Sequence, residues 1–171
     1  MGKKRKRSNV SKNLSYTIKK KEDMPNLKDV IITAIKNNAL DYKNPPIKNL
    51  GYKGIKKTIV EIKKWFERSE NIEDDLVLAA TLMERGGTGE SLFRNMYRDF
   101  LKECLSIVDY TPLQNGYILF TKIAPMWEEV SKLINKAGET HELLFLNQAS
   151  DILLELSNKE YEAMNQLSRI C

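Results

Sequence analysis

Cysteine and histidine are scarce in this chain: two cysteines (Cys104 and Cys171) and one histidine (His141) in 171 residues. Two cysteines make no disulfide framework. One histidine with no further nitrogen or sulfur ligand at close spacing makes no zinc site of the usual kind. No metal or other cofactor is therefore expected. Long apolar runs are also missing, none approaching the ~18 residues that a membrane span requires. The N-terminus lacks the apolar segment of a secretory signal peptide, so the sequence predicts a cytoplasmic protein with no membrane partner. Acidic residues are absent from positions 1–21, which hold nine Lys and Arg, among them the run Lys3-Lys4-Arg5-Lys6-Arg7. The rest of the chain carries 19 basic and 23 acidic residues, so the formal net charge of +5 belongs to the tail, not to the body. That weakens any reading of the folded surface as a nucleic-acid footprint.

Apolar residues make up 42% of the chain, enough for one core, and the length fits one domain plus a tail. The expected organisation is a basic arm or linker over residues 1–24, disordered or extended, followed by a single helical domain over residues 25–171. The expected fold class is all-α, with six to seven helices. The first helix is predicted from Pro25 to about Leu40, with Leu27, Val30, Ile31, Ala34, Ile35 and Leu40 on its apolar face. Proline suits a first turn, where its missing N–H is not needed. Pro45-Pro46 cannot continue a helix. A second helix is predicted over 54–68 through Ile55, Ile59, Ile62, Trp65 and Phe66. A third covers 72–84, where Glu73, Asp74 and Asp75 complement the helix dipole.

A fourth helix is predicted from Glu90 or Ser91 to Val108. Leu92, Phe93, Met96, Tyr97, Phe100 and Leu101 recur along it at three- and four-residue spacing, the mark of a buried stripe. Cys104 falls on that spacing and reads as a small core hydrophobe. The fifth helix is predicted over 112–137, kinked near Thr121–Ala124 by Pro125 and stopped by Gly138. A sixth is expected over 139–156, packing through Leu143, Leu144, Leu146, Ala149, Leu153 and Leu156. A last one is expected over 159–170. Phe93, Tyr97, Phe100, Trp65 and Trp127 are predicted to be mostly buried.

Between the third and fourth helices stands Gly86-Gly87-Thr88-Gly89. Backbone N–H groups at a helix start can bind phosphate or carboxylate. The run lacks the Lys-Ser/Thr pair of a P-loop, and no buried strand leads into it. A tight corner, with glycine supplying positive φ, is the plainer reading. Arg85 and Arg94 flank the corner and could clamp an anion bidentately; pairing with Glu84, Glu90 or Asp99 is the competing expectation. The candidate ligand or partner contacts are thus Arg85, Gly86, Gly87, Thr88, Gly89 and Arg94. No catalytic residue is assigned. His141 reads as a surface residue, and general-base work needs a nucleophile or substrate proton within its reach. The basic run could bind a polyanion through counterion release. Tyr16 is the arm's only aromatic, so base stacking has little support.

Glu84-Arg85-Gly86-Gly87-Thr88-Gly89, Leu92-Phe93-Arg94, Met96-Tyr97 and Asp99-Phe100-Leu101 together resemble the signature of a helical domain of unknown function. That domain follows the butirosin biosynthesis protein H N-terminal domain in many bacterial proteins. Gly51-Tyr52-Lys53-Gly54-Ile55, Trp65 and Trp127 extend the resemblance over about residues 25–137. Where the family pattern continues with glycines, Glu90-Ser91 stand here. The resemblance implies an N-terminal neighbour that is a Cys/His acyltransferase, moving an acyl group from a carrier-protein thioester to an aminoglycoside amine. Those catalytic residues have no counterpart in this chain. It implies a non-catalytic accessory or substrate-positioning domain, partnered in cis or in trans by a Cys/His acyltransferase-type domain, with a small molecule or a carrier protein as substrate. Homo-oligomerisation stays open. The alternative is a basic-armed protein that binds nucleic acid or another polyanion.

Overall fold

A computed structural model describes residues 16–19, 25–85 and 90–171, the side chains of Arg85, Glu90 and Ser91 excepted. The predicted arm up to residue 24 and the corner Gly86–Gly89 lie largely or wholly outside the described residues. The elements are α1 (Leu27–Lys43), α2 (Gly51–Glu61), a 3₁₀ turn (Ile62–Lys64), α3 (Trp65–Arg68), α4 (Ile72–Arg85), α5 (Glu90–Leu105), α6 (Thr111–Thr140) and α7 (Leu143–Leu167). The fold is all-α, with six longer helices and the short α3 and no strand among the described residues. No helix there is long and apolar enough to cross a membrane.

The organising unit is the pair α6 and α7. They are joined only by His141 and Glu142 and make the most extensive contact in the molecule. The antiparallel arrangement is visible in two cross-contacts. Gly116 near the start of α6 meets Leu167 at the end of α7, and Trp127 meets Glu160. The helices α4 and α5 pack on α6, while α1 and α2 pack on α7. The core runs along this hairpin, through Phe120, Ile123, Trp127, Val130 and Ile134 on one side and Leu146, Leu153, Leu156 and Leu167 on the other. Buried serines tie the layers: Ser131 Oγ donates to the Ala80 carbonyl at 3.1 Å, and Ser150 Oγ to the Ile59 carbonyl at 3.0 Å.

Several expected details are corrected. The last two predicted helices are one, because nothing in Leu156–Lys159 breaks the turn and Leu153, Leu156, Ala163, Met164 and Leu167 form a single buried stripe. Gly138 does not stop α6. It is buried inside the helix where α4 comes closest, and an added Cβ there would meet Leu76 Cβ at 3.0 Å and the Glu73 carbonyl at 3.2 Å. The stop is His141, in the left-handed region at φ 57°. The predicted second helix starts earlier and is interrupted by the 3₁₀ turn. In α1, Ile31, Ile35 and Ala39 are buried while Leu27, Val30, Ala34 and Leu40 are exposed, so the helix packs through a narrower face than its apolar residues suggest. Leu143 and Leu144 are exposed in the first turn of α7.

Candidate functional site

The sequence of α7 places a glutamate where the helix needs an apolar residue. Glu160 lies four residues after Leu156 and seven before Leu167, on the stripe that faces the core, and it is 1% exposed. A carboxylate there is costly unless paired and hydrogen-bonded. Three other helices supply its partners. Arg94 of α5 donates Nε–H to Oε1 at 2.7 Å and an Nη2 hydrogen to Oε2 at 3.0 Å, a bidentate pair. Trp127 of α6 donates its indole N–H to Oε1 at 2.6 Å, and the Tyr42 hydroxyl of α1 donates to Oε2 at 2.7 Å. The Arg94 guanidinium also lies 5.0 Å from the centre of the Trp127 ring.

Burial pushes the Glu160 carboxyl up. The charge of Arg94 and the hydrogen bonds from Arg94, Trp127 and Tyr42 more than offset it, and the acid is held below the ordinary carboxylate range. With four donors on two oxygens, Glu160 has little acceptor capacity left for a substrate proton. Its effect is to lock α1, α5, α6 and α7 to one point.

Beside this cluster, α1 and α5 form the walls of a groove of about 420 Å³, over a floor from α6 and α7. Tyr42, Phe93, Met96, Tyr97, Phe100 and Met164 contribute most of its apolar lining. The Tyr97 ring stands edge-on to Phe120 at 4.9 Å. Its hydroxyl is buried with no hydrogen-bond partner among the described residues, and burial pushes the phenol well above its ordinary pKa. Phe93, Met96 and Phe100 are not core residues, contrary to the expectation from their spacing. They are 45%, 57% and 36% exposed, and Leu92 is exposed beside them. On α5 the buried positions are Leu101 and Cys104, which point to α6. The stripe is therefore split between the core and the groove rim. Trp127 is buried, as expected, while Trp65 and Tyr97 are partly buried.

Of the candidate contacts read from the sequence, Arg94 is brought to Glu160, 66 residues further along. Asp99, one of its expected partners, is taken by Arg98 at 2.8 Å. Gly86, Gly87, Thr88 and Gly89, and the side chain of Arg85, lie outside the described residues, and Arg85 itself ends α4. Cys104 is buried in α5, and burial raises its thiol pKa, which disfavours the thiolate a nucleophile needs. His141 is exposed at the α6–α7 corner. Among the described residues no group of three or more His, Cys, Asp and Glu is placed to hold a metal ion.

Sequence reasoning missed Glu160, the centre of the site. The signal was present: one acid on an otherwise apolar heptad-like stripe, Leu153-Leu156-Glu160-Met164-Leu167. The expectation of a helix break near residue 157 hid it.

No curated protein and no solved structure matches the chain. A family model described as a domain of unknown function, DUF4872, matches residues 5–167, and the chain belongs to that family.

Proposed function

We propose that this chain is a non-catalytic helical accessory domain. It completes, or positions substrate for, a Cys/His acyltransferase-type partner of the butirosin biosynthesis protein H kind. The observation that carries the reading is the exposed apolar rim of α5. Phe93, Met96 and Phe100 stand exposed along the lining of an apolar groove, and Leu92 is exposed on the same helix. Contiguous exposed apolar surface marks interaction sites. A buried Cys104 with a raised pKa and an exposed His141 on a separate element argue against covalent chemistry within this chain. The resemblance in Glu84–Leu101 supplies the class of partner, and the rim supplies the surface. The substrate would be a small molecule or an acylated carrier protein, held against the partner's active site.

The test is reconstitution. A matching Cys/His domain is assayed for acyl transfer from a carrier-protein thioester, alone, with this chain, and with a Phe93→Asp/Met96→Asp variant. The reading expects stimulation by the chain and its loss in the variant. Full activity of the Cys/His domain without this chain, or acyl transfer by this chain alone that Cys104→Ser abolishes, would contradict it.

The nine basic residues of positions 1–21 favour a second reading, a basic-armed polyanion binder. Salt separates the two. Polyanion affinity falls steeply between low and physiological salt, whereas docking through the apolar rim does not.

A further inference from the structure

A second hollow lies between α2, α4, α6 and α7, with a volume of about 460 Å³. Tyr42 and Arg94 line both this hollow and the groove described above, so they form the partition between the two. We propose that this hollow is a binding site for an uncharged small molecule carrying an aromatic ring. The inference does not depend on the acyltransferase reading.

Three observations carry it. The first is size. A hollow of about 460 Å³ is within the range that takes small ligands. Its lining is mostly apolar, through residues such as Ile55, Val130 and Leu153, with Asn49 and Thr58 among its polar members. The second is the wall. Trp65 and Trp127, the only two tryptophans of the chain, both line it, together with Met83 and Ile134. Two indoles offer edge and face contacts to a ring, and a thioether adds a sulfur–aromatic contact. The third is charge. Among the described residues that line the cavity, Arg94 alone is charged at neutral pH, and its charge is matched by Glu160 at 2.7 Å. An ionic ligand would lose its hydration without meeting an uncompensated counter-charge, so the cavity selects neutral molecules.

The same two tryptophans report on the test. The full chain is titrated with N-phenyl-1-naphthylamine, which is uncharged, and with 8-anilino-1-naphthalenesulfonate, which has the same ring system and a negative charge. Tryptophan emission is followed in both titrations. The uncharged probe should quench it saturably at one equivalent, with Kd on the order of 10 μM, and the anion should bind at least about tenfold more weakly. Ala79→Phe, which places a ring into the cavity from α4, should weaken the uncharged probe by about tenfold or more. Phe93→Ser, on the outer groove alone, should leave binding unchanged. If Ala79→Phe does not fold by circular dichroism, Thr58→Leu fills the same cavity from α2 and should weaken the probe at least about threefold. No saturable quenching, several equivalents bound, equal affinity for the anion, or wild-type affinity in a folded cavity-filling variant would each overturn the proposal. Loss of binding in Phe93→Ser would assign the probe to the outer groove and overturn it too. None of these outcomes bears on acyl transfer, which is measured with the partner domain present.

Discussion

Replacing Arg94 by alanine removes the charge that makes a buried carboxylate tolerable. Glu160 is 1% exposed, and Arg94 supplies two of the four hydrogen bonds it accepts. Breaking a buried pair by deleting one partner costs about 3–5 kcal/mol, because the remaining charge is left uncompensated. In a domain of this size that is roughly 6–20 °C in Tm. The cost depends on pH, and the direction is fixed by the Glu160 pKa. In the wild type the folded-state value is held below the unfolded one. Its contribution is therefore present above the unfolded carboxylate pKa and is lost as the pH falls through the folded value. In Arg94→Ala the lowering charge is gone and burial dominates, so the folded pKa rises above the unfolded one. That variant is penalised most at neutral pH and recovers as Glu160 takes up a proton. The gap between wild type and variant should thus narrow from pH 7 to pH 5. Urea unfolding at both values measures it. Arg94→Met/Glu160→Leu, which removes both charges, should recover much of the loss at pH 7. A loss below about 1 kcal/mol at pH 7, or one that does not change with pH, would refute the network as described.

Phe120→Ala should cost about 3–5 kcal/mol, as expected for a fully buried aromatic, whereas Phe100→Ala, at the groove rim, should cost only about 1–2 kcal/mol; equal losses in urea unfolding would put Phe100 back in the core. Gly116→Ala should destabilise by roughly 1–2 kcal/mol net of its gain in helix propensity, since its Cβ would fall 2.5 Å from Leu167 Cδ2; a rise in Tm would show that the two helices separate there at no penalty. His141→Gly should raise stability by up to about 1 kcal/mol, because glycine adopts the left-handed conformation of that corner without a Cβ clash; a lower Tm would mean that the histidine side chain is itself used there.

The all-α class and the approximate position of most helices were legible from periodicity, and the acidic first turn of α4 marked its start. What the periodicity could not assign was which apolar residues are core. The stripe on α5 is wide enough to face two ways, and only the position of α6 decides that Leu101 and Cys104 go inward while Phe93, Met96 and Phe100 line a groove. On α1 the same ambiguity left Leu27 and Val30 outside. Gly138 read as a stop because glycine commonly ends helices; its other use, permitting close approach of a second helix, depends on α4 and is invisible locally. The candidate site was only partly legible. Arg94 stood out by its place beside the glycine corner, yet its partner Glu160 is set by the packing of α5 against α7 across α6, which no local spacing encodes.

In the proposed function, a Cys/His partner domain covers the apolar rim of α5. Isothermal titration of that domain into this chain, at several temperatures and two salt concentrations, tests it most directly. Docking through the rim should give a negative heat-capacity change of association, affinity that changes little with salt, and loss of binding in Phe93→Asp/Met96→Asp. Absence of binding, an affinity that falls steeply with salt, or full binding by the double variant would contradict it.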